Sequence, residues 1–282
     1  MNSDEDFGAV AVIAGVKNPI TAAHTILLES QKSDAYGRIH PLLLAGRAES
    51  VSSTLIDPAT MITPKALSDW KRWKALIESG QATQDAVDSP ILQDTVGAVA
   101  CAIDGDVSAG VSSGGILLKR SGRVGEAAIF GSGCWASGAR DGLNAVACSI
   151  SGAGEMIMRA SLARQLAEAA RRPDTDSHEE IERALIKFQE TCARRKGEHA
   201  NAGIILIVGE RQEGGAIRPR LWCGFTTASF AVAYTTSIDS VPKASRMTPN
   251  TIPTNQWIHR RQYFVDPTKG ATNLDFTSLP SL

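Results

Sequence analysis

The chain has 282 residues, of which 43% are hydrophobic and 21% charged, with a formal net charge of −1. That apolar fraction excludes a disordered chain and suits one large domain or two small ones. The near-zero charge gives no electrostatic case for a nucleic acid or an anionic membrane as partner.

No apolar run reaches the roughly 18 residues that a membrane span needs. The opening Met1-Asn-Ser-Asp-Glu-Asp6 lacks the basic and apolar parts of a signal peptide. Asn18-Pro19 predicts a helix start, with Asn as N-cap and Pro in the first turn. The helix would run to about Ser30, with Ile20, Ala23, Ile26 and Leu27 on one face. Pro41 to Ala45 predicts a short buried strand ending at Gly46, and Pro64 to Glu78 a second helix closed by Gly80. Within that helix, Lys71-Arg-Trp-Lys74 is a short basic run, by default a solvated face. Residues 81–92 are polar and without periodicity, so an exposed loop is expected there.

Thr95 then opens an apolar strand, Val96 to Ile103, which Asp104-Gly105 would turn in type I′ fashion into a second strand, Val107 to Ser112. Ala127–Gly131 and Ala145–Ser151 are further expected strands. Glu155 to Arg172 predicts one long helix stopped by Pro173. Ser177 would cap the next helix, with Glu179, Glu180 and Glu182 near its start and Arg194, Arg195 and Lys196 at its end, as the helix dipole prefers. Late strands are expected at Gly203–Gly209, Leu221–Phe225 and Ser229–Thr235, and a tail from Ser237 wraps the surface or stays partly loose. Strands, two helices and strands again give an α+β layered sandwich.

Cys101, Cys134, Cys148, Cys192 and Cys223 are scattered, with no Cys-x-x-Cys and no histidine cluster. They predict buried reduced thiols in an intracellular protein, cytoplasmic or nuclear, with no metal site and no cofactor. The five histidines are isolated, and His24 and His40 are expected to be structural. Gly114-Gly115 and Gly152 to Gly154 match neither a phosphate loop nor a dinucleotide fingerprint, and suit close backbone approach around a cleft.

The chemistry concentrates at Thr95. Threonine is an ordinary strand opener. It is also the residue that, freed by a cut after Asp94, would hold a hydroxyl nucleophile and an amine base together. The ordered segments Asp94-Thr-Val-Gly-Ala-Val99, Val111-Ser-Ser-Gly-Gly115, Gly122-Arg-Val-Gly-Glu126, Gly131-Ser-Gly-Cys-Trp135 and Ser149-Ile-Ser-Gly-Ala-Gly-Glu155 closely resemble the plant-type (type 2) asparaginase superfamily of N-terminal-nucleophile hydrolases. Within it, the Val-Ser-Ser-Gly-Gly and Gly-Cys-Trp segments look most like the threonine aspartase (taspase) branch, as do Gly15-Val-Lys-Asn-Pro19 and Gln31-Lys-Ser.

The resemblance implies a four-layer αββα sandwich that lacks the family's first strand region. It implies one structural domain in two parts, 1–94 and 95–282, with a processing loop at about 81–94 and self-cleavage between Asp94 and Thr95. Thr95 matches the nucleophile, Ser113 the hydroxyl that orients it, and Ser151 and Gly152 the pair that stabilises the oxyanion. Arg123 matches the arginine that grips a substrate carboxylate. Glu126 stands where asparaginases carry an aspartate for the free α-amino group of a small substrate, and where taspases carry a neutral glutamine. The first functional expectation is a threonine endopeptidase that cuts protein or peptide substrates after aspartate, as a precursor homodimer or processed heterodimers. The alternatives are an asparaginase or isoaspartyl dipeptidase, and a silent homologue that acts by pairing with another subunit.

Overall fold

A computed structural model describes residues 1–46, 55–80, 95–195, 200–212, 214–237, 241–247 and 259–264. Asp94, Lys196 and the expected processing loop lie outside the described residues. Strand β1 (Ala9–Ala11) has no counterpart among the expected strands, and pairs in parallel with β2 (Leu43–Ala45). β2 is half-buried to exposed, where a buried strand was expected. Helix α1 spans Pro19–Ser30 as expected, but Asn18 makes no side-chain cap. Its buried residues are Ala22, Ile26 and Leu27, whereas Ile20 is 49% exposed. Helix α2 (Pro64–Glu78) matches the sequence reading, with Thr63 Oγ1 accepting from the Ala66 amide and Gly80 left-handed after its end.

The strands β3 (Val96–Cys101) and β4 (Val107–Ser112) pair in antiparallel register, Val96 opposite Ser112 and Cys101 opposite Val107. The turn is not the expected type I′. Gly105 N donates to Ala102 O, so Ile103 and Asp104 are the central residues, and Gly105 follows in the left-handed region at φ 93°. This is the three-residue loop with a glycine bulge, which needs one positive φ where type I′ needs two.

The expected strand at Ala127–Gly131 is absent, and Glu126–Ala128 is a short 3₁₀ turn. The strand comes later, as β5 (Cys134–Ser137), followed by β6 (Ala145–Gly152). The single long helix predicted from Glu155 is broken into α3 (Gly154–Ala160) and α4 (Leu162–Ala170). Ser161 between them is left-handed, at φ 44°. The amides of Ala163 and Arg164, which begin α4, donate to the carbonyls of Ser132 and Gly131. The redirected helix thereby satisfies donors that a helix start leaves open.

Helix α5 (Ser177–Ala193) is capped by Asp176, whose carboxylate accepts from the His178 amide, and not by Ser177. The strands β7 (Ala202–Arg211), β8 (Ile217–Phe225) and β9 (Phe230–Tyr234) fall near their expected places. The tail adds β10 (Lys243–Met247), paired with β9, and β11 (His259–Phe264), paired with β8.

The main sheet has the order β11-β8-β7-β6-β5 with antiparallel neighbours. Ala145 to Ile150 of β6 are all buried, so both faces of this strand are covered. α4 packs on β5 and β6, and α5 on β8, while β3 and β4 contact β5, β6 and β7. α1 lies against β1 and β4. The core holds Trp135, Ile150, Met156, Leu166, Leu185, Phe188, Ile204 and Leu206, each almost fully buried. The fold is therefore mixed α+β, with α4 and α5 packed on the main sheet, the β3–β4 hairpin against β5, β6 and β7, and α1 against the hairpin.

Candidate active site

Register alone brings the first two candidate residues together. Val96 faces Ser112 in the last rung of the hairpin, so the next residues outward, Thr95 and Ser113, oppose each other. Thr95 Oγ1 donates to Ser113 Oγ at 3.0 Å, and the Gly115 amide donates to the same oxygen at 3.1 Å. Both side chains are half-buried.

The hairpin lies over β6 and β7 with little space between. A Cβ on Gly97 would stand 2.1 Å from Ser149 Oγ, and a Cβ on Gly209 would stand 3.7 Å from Cys101 Sγ. Gly209 pairs with Ala145. Passing from Cys101 to Gly97 thus runs from Ala145 to Ser149 below. Two residues further, the strand period of two carries Thr95 toward Ser151. Ser149 Oγ itself donates to Gly110 O at 3.1 Å and ties the two sheets together.

Ser151 and Gly152 end β6, opposite Gly203 and Ala202. Gly152 has φ 153°, and a Cβ there would meet the Asn201 carbonyl oxygen at 2.0 Å. The Ala153 amide donates to that same oxygen at 2.7 Å. No larger residue fits, so glycine here is a condition for the β6 end to reach the next helix. Gly203, beside Ser151, is covered by the Phe230 ring, which stacks on Phe225 at 5.7 Å between centroids. Phe230 was not singled out in the sequence, where it reads as one apolar residue of a late strand.

The second cluster gathers around Gly154. An added Cβ at Gly154 would stand 3.0 Å from Arg123 Nη2 and 2.3 Å from Glu126 Oε2. Arg123 and Glu126 therefore both pack against the backbone of Gly154, where only glycine leaves room for them. Glu126 is 3% exposed. Arg123 is also held by Glu155, with Nε and Nη2 donating to the two carboxylate oxygens at 2.7 Å each. That hydrogen-bonded contact raises the Arg123 guanidinium above its ordinary range and pulls the Glu155 carboxyl below its own. Glu155 was read as part of a helix-opening motif, and its pairing across 32 residues had no sequence signal.

A cleft of about 670 Å³ opens beside these clusters, walled by α1, β1, β4 and the loop after Ser112, with Ser113, Arg123 and Gly125 on its wall. Thr95, Glu126, Ser151 and Gly152 are not among its walls. Among the described residues no group of histidine, cysteine and carboxylate side chains is arranged to hold a metal ion, and no helix is long and apolar enough to cross a membrane.

The family model described as asparaginase matches residues 1–207. The chain belongs to the asparaginase family. It is 36% identical over 176 residues to a plant-type L-asparaginase of Thermococcus kodakarensis, covering 59% of this chain and 52% of that protein. It is 30% identical over 167 residues to an isoaspartyl peptidase of Escherichia coli, covering 57% and 47%. A probable isoaspartyl peptidase/L-asparaginase of Drosophila melanogaster is 31% identical over 172 residues, covering 57% and 49%. The chain spans about half the length of the relatives it matches. These names favour the asparaginase alternative over the taspase-like endopeptidase that was the first expectation from sequence.

Proposed function

We propose that the chain is an N-terminal-threonine amidohydrolase acting on small β-aspartyl amides, as an asparaginase or isoaspartyl dipeptidase does. The carrying observation is that Arg123 and Glu126 are brought side by side at the Gly154 backbone. A guanidinium and a buried carboxylate side by side suit a zwitterion, with an α-carboxylate toward Arg123 and an α-ammonium toward Glu126. A peptide chain running through the site would bring no ammonium group to offset the Glu126 charge.

In this reading a cut after Asp94 frees the Thr95 amine, whose ordinary pKa of about 7.7–8 leaves part of it neutral near pH 7. The amine takes the proton of the Thr95 hydroxyl as Oγ1 attacks the side-chain carbonyl of the substrate. Ser113, in contact with Oγ1, fixes its direction. Ser151 and the Gly152 amide hold the negative charge on the carbonyl oxygen. The amine of Thr95 returns its proton to the departing ammonia or amino acid, leaving an ester on Oγ1. Water then cleaves the ester, giving aspartate and the free hydroxyl. The complete αββα sandwich of the family is the scaffold proposed for this chemistry.

The test supplies purified protein with asparagine, with a β-aspartyl dipeptide and with a Gln-x-Asp-Gly peptide, and follows its intact mass. Fragments 1–94 and 95–282 should form in wild type and not in Thr95→Ala, and the small amides should be turned over. Turnover of the peptide with none of the small amides would return the assignment to the endopeptidase. An intact chain silent on all three would favour the subunit-pairing reading.

A further inference from the structure

Two sheets packed face to face usually stand about 10 Å apart, because side chains from both fill the gap. Near Thr95 one of the two contributions is missing. Gly97 of β3 has no side chain, and its backbone lies outside the left-handed region, so what glycine provides there is space. Ser149 of β6 fills that space from the main sheet. A Cβ added to Gly97 would stand 2.1 Å from Ser149 Oγ, 3.0 Å from Ser149 Cβ and 3.3 Å from Gly110 O. Ser149 is 3% exposed, and its hydroxyl donates to Gly110 O on β4 at 3.1 Å. One hydroxymethyl group is therefore both the spacer between the hairpin and β6 and the tie that holds them. At the turn end of the hairpin, a Cβ on Gly209 would stand 3.7 Å from Cys101 Sγ, an ordinary contact. The tight approach is at the end that carries the candidate nucleophile.

We propose that Ser149 is a positioning residue that sets, by its size and its hydrogen bond to Gly110, how far Thr95 stands from Ser151 and Gly152. The inference rests on the proposed function and concerns a residue that touches no substrate. Thr95 lies two residues beyond Gly97, just before β3, and Ser151 two residues beyond Ser149 on β6. The strand period of two aims each at the same gap. Thr95 rides on the hairpin with Ser113, whereas Ser151 and Gly152 belong to the main sheet. Their separation is a distance between two sheets, and Ser149 fills the gap one strand period away. Attack needs reacting atoms within about 3–3.5 Å, and a displacement of about 1 Å can cost about 100-fold in rate. Arg123 and Glu126, proposed to hold the substrate, lie beyond β4 and take no part in this contact. A shift of the hairpin should therefore appear in kcat more than in KM.

The experiment follows turnover of asparagine and of a β-aspartyl dipeptide, the rate at which fragments 1–94 and 95–282 form, and the melting temperature. Kinetics are measured where every variant compared is folded. Ser149→Ala keeps the spacer and loses the tie, and should lower kcat about tenfold with KM within about threefold. Gly97→Ala drives a methyl group into the serine hydroxyl and pushes the hairpin outward. It should lower kcat by about 100-fold and slow fragment formation in step. The double variant Gly97→Ala/Ser149→Gly supplies the spacer from the hairpin and withdraws it from β6, and should regain about tenfold of that loss. If Gly97→Ala does not fold, the kcat of Ser149→Ala decides alone. A kcat unchanged in Ser149→Ala and Gly97→Ala, with only the melting temperature lowered, would make Ser149 structural and overturn the inference while the proposed function stands. A double variant as slow as Gly97→Ala, or a loss that falls on KM alone, would do the same. A wild type that stays intact and turns over neither small amide would remove the proposed function and the inference with it.

Discussion

Ser113 receives two hydrogen bonds on one oxygen, from the Thr95 hydroxyl and the Gly115 amide. Ser113→Ala removes that acceptor without opening a sizeable cavity, because the side chain is half-buried at the hairpin end. The expected result is a fall in kcat of about 10- to 100-fold from misdirection of the nucleophile, with a stability change of no more than about 1 kcal/mol. Steady-state kinetics beside a thermal melt separates the two effects, and equal kcat in both proteins would remove Ser113 from the site. A second expectation concerns acid. The folded pKa of Glu155 is lowered, chiefly by its hydrogen bonds to Arg123. Its contribution is thus complete above the ordinary glutamate value of about 4.3, and is lost as pH falls through the lowered folded value. The stability difference between wild type and Glu155→Gln should be flat from pH 8 to 6 and shrink in more acid solution, as followed by urea unfolding at each pH. The meeting of Thr95 and Ser113 was legible in sequence because each sits in a short motif of fixed spacing. The pairing of Glu155 with Arg123 was not, because a guanidinium and a carboxylate 32 residues apart meet through tertiary packing alone.

Among the elements, the end of β6 carries the tightest constraint. At Gly152 the clash is with the backbone oxygen of Asn201, which already serves the Ala153 amide and has little freedom to withdraw. Gly152→Ala should therefore cost more than about 3 kcal/mol, combining a glycine-only backbone conformation with a backbone collision. Chemical denaturation would measure it, and a variant as stable as wild type would contradict the geometry. The extent of helix α2 was read correctly from local signals, whereas the local signals at Asn18, Asp104-Gly105 and Ser177 misled about caps and turn type. α2 begins at the Thr63-Pro64 cap and ends at Gly80, all within its own sequence. The break at Ser161 was invisible because the partners of the α4 amides, Gly131 and Ser132, lie about thirty residues upstream. The missing strand at 127–131 has a related cause. An apolar run there was read as a strand, but Glu126 belongs beside Gly154, and the 3₁₀ turn at Glu126–Ala128 sets it there.

At the scale of the molecule, the sandwiched sheet hides nearly every thiol. Cys134, Cys148, Cys192 and Cys223 are buried and Cys101 is half-buried. Burial pushes the Cys148 thiol up and the Cys223 thiol up to about 12. A thiol reagent at pH 8 should therefore titrate Cys101 first and slowly, with all five thiols of the chain reacting after unfolding. Rapid reaction of three or more in the native protein would show that the layers are not closed. The α+β class was legible from the order of apolar runs, and the buried thiols from their apolar surroundings. The way the β3–β4 hairpin lies across β6 was not, since it depends on glycines at 97 and 209 that mark close approach without naming a partner. That hairpin also works as a measuring rule. Six rungs separate its turn from Thr95, a distance of about 20 Å at the usual rise per residue. Deleting one residue from the 102–106 turn would shift every rung by one place and set Thr95 against a neighbour of Ser113. The chain's chemistry would then be cancelled from the far end of a strand, with every residue of the site still present. A compensating deletion of Ser112 would set Ser113 opposite Thr95 again, yet one strand of the hairpin would still turn its side chains to the wrong sheet surface.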